Sequence, residues 1–169
     1  MTLPTQRLRD EHAGLLPNIE CMKQLAHDVI TAPADELRDG LEEAYLFLEH
    51  KLIPHARAED RVLYPVIAHM LGSDRAMQGM TRDHVEVGTL SNELGILRVE
   101  LVDDEEPPTE TKQEIQRVLY GLYTLIKHHF AKEEELYLPL LDGNLSEEET
   151  MKLFQEMERV SRNSRFQIV

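Results

Sequence analysis

Apolar residues recur along this chain in alternating steps of three and four, the period of helices that each bury one face. The first such run spans about Leu3 to Thr31, on the stripe Leu8, His12, Leu15, Ile19, Met22, Ala26 and Val29. "TAPADE" breaks it, with Asp35 placed to cap the next helix. The second run, about Glu36 to Leu71, carries Leu41, Tyr45, Leu48, Leu52, His55, Glu59, Val62 and Val66. Gly72 stops it, and Ser73 stands as the N-cap of a third run from about Asp74 to Val102. The acidic, proline-containing "DDEEPPTE" reads as a loop. A fourth run, about Pro108 to Leu141, carries Leu119, Leu122, Ile126, His129, Glu133, Leu136 and Leu140. "DGN" ends it. Ser146 followed by Glu149 signals a further helix start, and "SRNSRFQIV" has no clear assignment.

Four long helices on short connections predict an all-α fold: an antiparallel up-down-up-down four-helix bundle with a short C-terminal fifth helix. The bundle would occupy residues 1–145, and an accessory helix and tail 146–169. Pro17, Pro54 and Pro65 fall inside predicted helices, where each removes a hydrogen bond and bends the axis. The stripes are expected to continue in register past each one.

Two stripes contain charge. Histidine and glutamate four apart lie one turn apart on one helix face, so His55 with Glu59, and His129 with Glu133, can serve a single site. The spacing alone is weak: with eight histidines and 32 acids in 169 residues, chance gives about 1.5 such pairs. Position is what counts. Both pairs lie on core stripes, where a charge is costly unless paired or metal-bound. They also align in a repeat: "HARAEDRVLYP" at 55–65 and "HFAKEEELYLP" at 129–139 share the histidine, the glutamate and the proline. The other two long helices each place one inner histidine, His12 and His84. His12 and His84 are 72 residues apart, and His55 and His129 are 74 apart. Counting residues from each histidine to its loop, at 1.5 Å per residue, brings all four to one depth.

Composition narrows the chemistry. A net charge of −14 argues against nucleic-acid partners and anionic membranes, and no apolar run approaches a membrane span or a signal-peptide core, so the reading is cytoplasmic. With Cys21 the only cysteine, there is no internal disulfide and no Cys-rich site. A metal here must use nitrogen and oxygen. Four imidazoles and two carboxylates could hold two cations, each with two imidazoles and both sharing the carboxylates, with room for an oxo or hydroxo bridge and an open position. That donor set suits iron, and also manganese or zinc. Neither Glu-x-x-His nor HExxH occurs.

In "EHAGLLPNIE", "HARAEDRVLYP", "DHVEVG" and "HFAKEEELYLP", over about residues 5–141, the chain resembles the hemerythrin-like (HHE cation-binding) family, four-helix bundles with a non-haem di-iron centre. The resemblance implies that His12, His55, His84 and His129 are terminal ligands and that Glu59 and Glu133 bridge two non-haem iron ions. It implies a protein that binds or reduces O2, peroxide or another small oxidant. Oxygen-carrying members have a fifth histidine where this chain has Gly88, and an Asp at +5 where it has Glu133 at +4. These departures favour redox or peroxide chemistry, or sensing, over reversible oxygen carriage. A sensor, an iron-storage protein and a zinc-filled structural bundle are the alternatives without catalysis.

The remaining candidates read plainly. His128 competes with His129 at a looser +5 spacing, and the repeat favours His129. His50, His27 and His69 read as surface or helix-end residues, Cys21 as a small core residue, and Asp10 and Asp83 as solvated. Tyr64 and Tyr137 are within reach of a ligand, with packing the plainer role. Gly88 either lets two helices approach or opens a pocket beside a metal.

Overall fold

The computed structural model describes residues 3–101 and 106–165. Among them the chain forms five helices and no strand. Helix α1 is Gln6–Asp28. Helix α2 is continuous through Ala34–Phe47, Leu48–Leu52, Ile53–Ala58, Glu59–Leu63 and Tyr64–Met70. Helix α3 is Gln78–Glu100, and α4 runs through Thr109–Lys132, Glu133–Tyr137 and Leu138–Asn144. Helix α5 is Glu147–Arg165. Helices α1 to α4 close an antiparallel ring in which α1 packs on α4 and α2, and α3 packs on α4 and α2. Helix α5 lies against the middle of α2. No helix among the described residues is long and apolar enough to cross a membrane.

Helix boundaries follow local chemistry, with some shifts from expectation. Asp35 is not the cap of α2: Pro33 holds that place and Asp35 sits in the first turn, where a carboxylate suits the helix dipole. Gly72 ends α2 with φ 65°, a conformation that costs other residues strain. Ser73 caps a turn rather than a helix, its Oγ accepting from the Arg75 N–H at 3.3 Å, and α3 starts only at Gln78. The Ser146–Glu149 capping box is formed: the Ser146 N–H and Oγ donate to Glu149 Oε2 at 2.9 and 2.7 Å. Most of "SRNSRFQIV" continues α5 to Arg165, residues 166–169 lying outside the described residues. The same holds for residues 103–105 of the acidic loop.

The prolines act by widening helices. Turns Leu48–Leu52, Glu59–Leu63 and Glu133–Tyr137 are π-helical, and each is followed by a proline: Pro54, Pro65 and Pro139. A proline ring collides with the carbonyl four residues back, and widening the turn relieves that collision. Thus the Tyr64 N–H bonds to the Glu59 carbonyl, and the Leu138 N–H to the Glu133 carbonyl, five residues back. Pro17 lies in an uninterrupted α-helix.

The π turns overturn the expectation that the stripes keep register. Beyond Glu59 the fully buried residues of α2 are Leu63 and Ile67, each one past the expected Val62 and Val66. Beyond Glu133, Leu136 is 59% exposed, while Leu138 and Leu141 are fully buried. One extra residue per turn rotates everything after it. The interior therefore divides into two apolar clusters. One, from Ile19 through Leu41, Leu94 and Leu122 to Phe130, fills the end near the α1–α2 loop. The other joins Leu8, Leu63, Ile67, Met80 and Leu141 to Phe154, Met157 and Val160 of α5. Between them lies a polar layer.

Candidate metal centre

That layer contains His12, His55, Glu59, His84, His129 and Glu133. Glu59 and Glu133 are fully buried, and His12, His55 and His129 are nearly so. Among the described residues no Lys or Arg pairs with either glutamate, so compensation for two buried carboxylates comes from the four imidazoles. All four rings aim Nε2 inward. His55 Nε2 is 2.9 Å and His12 Nε2 3.7 Å from Glu59 Oε1, and His84 Nε2 is 3.3 Å from Glu59 Oε2. Glu133 spans the same space, its Oε2 3.3 Å from His12 Nε2 and its Oε1 3.6 Å from His129 Nε2.

Proximity here is not hydrogen bonding. His12 Nε2, His55 Nε2, both Glu59 oxygens and Glu133 Oε2 are buried without an aligned partner. Nε2 atoms of His84 and His129 face each other at 2.9 Å, where at most one can carry the shared proton. Buried polar atoms are normally satisfied, and five orphans at one spot need another partner. Two groups have ligand atoms all within 4.8 Å of one another: His12, His55 and Glu59, and Glu59, His84 and His129. They share Glu59, and Glu133 flanks both. The arrangement fits cations held by imidazole and carboxylate.

Outward, each ring meets an acid. His12 Nδ1 is 2.9 Å from Glu134 Oε1, His84 Nδ1 3.1 Å from Asp60 Oδ2, and His129 Nδ1 3.2 Å from Asp83 Oδ2. His55 Nδ1 is more loosely served, by Glu11 Oε2 at 3.7 Å. Such acids fix ring orientation and raise ligand basicity. Three are anchored in turn: Glu134 by Arg9 at 2.9 Å, Asp60 by Thr81 Oγ1 at 2.9 Å, and Asp83 by Lys132. Arg9 also bonds Asp142, which accepts from the Thr5 N–H at 2.9 Å, so the start of α1 is tied to the end of α4. Asp83 is thus half-buried and partnered, not solvated as expected.

Tyr64 corrects a second expectation. It is buried within the layer, donating to Glu133 Oε1 at 2.7 Å, with its oxygen 3.0 Å from His129 Nε2. On a regular helix a residue five after Glu59 would lie about 140° away from it. The π turn brings Tyr64 back to the inner face, and a proline six residues after Glu59 was the available signal. Tyr137 stays half-buried against the second cluster, and the repeat puts Leu138 opposite Tyr64. Phe130, also unforeseen, stacks on His12 with centroids 4.2 Å apart. Together with Leu52, Val87 and Ile126 it bounds a cavity of about 10 Å³ that touches His55, Glu59, His84 and His129, room for about one water-sized molecule.

Burial alone would lower the histidine pKa values, but the glutamates outweigh it. His12 is raised to about 10 by Glu133 and Glu59, and His55 to about 9 chiefly by Glu59. His84 is raised to about 9 by Asp60 and Glu59. Burial pushes the Glu59 pKa up, yet the charge of His55 and contacts with His12 and His84 hold it well below the usual range. Burial and the Glu59 charge raise that of Glu133, yet His12 and His129 keep it low. Burial, then the two glutamate charges, push the Tyr64 phenol far up, so it remains a neutral donor.

The other candidates stand apart. His27, His50, His69 and His128 are exposed, and so is Cys21, which is not a core residue. Gly88 is not a point of close approach: a Cβ built there meets nothing within 4 Å.

A helical bundle with a buried layer of histidine and glutamate is a metal-binding class of protein. The model of the Hemerythrin HHE cation binding domain matches residues 3–141, and the chain belongs to that family. No curated protein and no solved structure matches it.

Proposed function

We propose that the chain is a hemerythrin-like non-haem di-iron protein that binds or reduces O2 or peroxide at a His4Glu2 centre. The observation that supports this best is the convergence of buried, unaligned nitrogen and oxygen atoms on one point. His12, His55, His84 and His129 would be terminal ligands, with Glu59 and Glu133 common to both metals. Two irons held by these residues would supply electrons, and an open position, to a small oxidant. The chain's own residues do the rest. Glu134 and Asp83 hold the imidazoles of His12 and His129 by Nδ1, and Asp60 lies 3.1 Å from Nδ1 of His84, so the Nε2 atoms of all three are preset toward the centre of the layer. Phe130, Leu52, Val87 and Ile126 exclude bulk water. Tyr64 keeps a proton at its hydroxyl, donated to Glu133 at 2.7 Å. A metal-binding module without turnover is the second reading, favoured by a cavity that admits only about one water-sized molecule.

The test is metal content and absorption of the chain purified with iron, followed by peroxide turnover. Two irons per chain with the spectrum of coupled ferric ions is expected. A metal-free chain no less stable with His55→Ala and Glu133→Ala would overturn the proposal. Iron binding without turnover selects the second reading.

A further inference from the structure

A cavity of about 540 Å³ lies between α1, α2 and α5, beside the polar layer. That is the size of a small-molecule site. Its far wall comes from α5, which lies beyond the matched residues 3–141.

The lining has two chemistries. Phe154 and Met157 of α5 face Leu15 and Ala58, forming an apolar floor. The rim carries three cations, Arg7, Lys51 and Arg162, against two acids, Glu11 and Glu158. In a chain of net charge −14 this local balance is reversed. Glu158 is shared by Arg7, at 2.8 Å, and by Arg162, while Glu11 lies 3.5 Å from Arg7, so the two acids are taken up by the two guanidinium groups. Lys51 has no ion pair among the described residues and is exposed at the edge.

The cavity also reaches His55, the layer histidine whose outer nitrogen is least secured. Its acid, Glu11, is 45% exposed and lies on the same rim, 3.5 Å from Arg7. We infer that this cavity binds an amphipathic organic anion, with the carboxylate head at Lys51 and the arginines and the apolar body on Phe154 and Met157. An anion seated there competes with Glu11 for Arg7 and touches the edge of His55.

The probe is octanoate, with octanol as neutral control and acetate as head-only control, titrated calorimetrically into the full chain, metal-free and iron-loaded. One saturable octanoate site is expected, at least about tenfold tighter than either control, with a shift of the His55 ring resonances in the metal-free chain. Lys51→Glu should weaken octanoate about tenfold and leave octanol unchanged. Ser161→Trp, which fills the groove from α5, should abolish both. No saturable binding at millimolar octanoate, octanol binding as tightly, or an undiminished Lys51→Glu would each overturn the inference. Because the metal-free chain is titrated too, failure to bind iron leaves this result readable by itself.

Discussion

The Tyr64 hydroxyl donates to Glu133 Oε1 at 2.7 Å, joining a phenol of α2 to a carboxylate of α4 across the polar layer. Both partners are buried, so Tyr64→Phe leaves an acceptor that water cannot reach. A hydrogen bond to a charged group of this kind contributes about 2 kcal/mol. The metal-free variant should melt roughly 5 °C lower in a thermal scan. An unchanged melting temperature would show that the bond contributes nothing.

Protonation gives a second expectation. His12, His55 and His84 have folded pKa values raised to about 10, 9 and 9, against about 6.5 in the unfolded chain. Raised values stabilise the fold fully below pH 6.5 and lose that contribution as pH climbs through 9 to 10. The metal-free chain should therefore become steadily easier to unfold by urea between pH 6.5 and 10. At pH 7, metal must displace these protons, so the calorimetric heat of loading should vary with the ionisation enthalpy of the buffer. Heats that are independent of buffer would contradict the assignment.

The outer acids are a third case. Asp60→Asn and Glu134→Gln keep size while removing the charge that orients His84 and His12. Each should lower metal affinity by about ten- to a hundredfold in a chelator competition. Glu11→Gln, acting at 3.7 Å and half exposed, should change it least.

Register can be tested directly. Leu141→Ala empties a fully buried position and should cost about 2–5 kcal/mol by denaturant titration. Leu136→Ala, at an exposed position, should fall within about 0.5 kcal/mol of the wild type. Equal costs would mean that the Glu133–Tyr137 turn is not widened.

Two glycines in α3 should respond oppositely to alanine. Around Gly88 there is open space, so Gly88→Ala should stabilise the helix by about 0.5–1 kcal/mol. At Gly95 a Cβ would lie 2.8 Å from Tyr45 Cε2, in a ring that also stacks under Arg98. Gly95→Ala should lower the melting temperature.

By itself, the sequence determined the helices, their order and the six polar residues of the inner layer. Those follow from periodicity, since a histidine or glutamate on a core stripe is visible one helix at a time. Level counting added their common depth, because the rise per residue is nearly constant. What it missed depends on contacts between helices or on departures from the regular turn. Val62 and Leu136 were expected inside because the stripe was carried through Pro65 and Pro139 at 3.6 residues per turn, and the π turns shift the phase by one. The same shift brings Tyr64 to Glu133, which no regular period predicts. Asp83 reads as a surface acid until α4 sets His129 and Lys132 against it. The pairing of each imidazole with its outer acid, the stacking of Phe130 on His12, and the wall that α5 builds beside His55 were decided only by tertiary structure. Each joins residues from separate helices, and a one-dimensional pattern holds no record of which faces will meet.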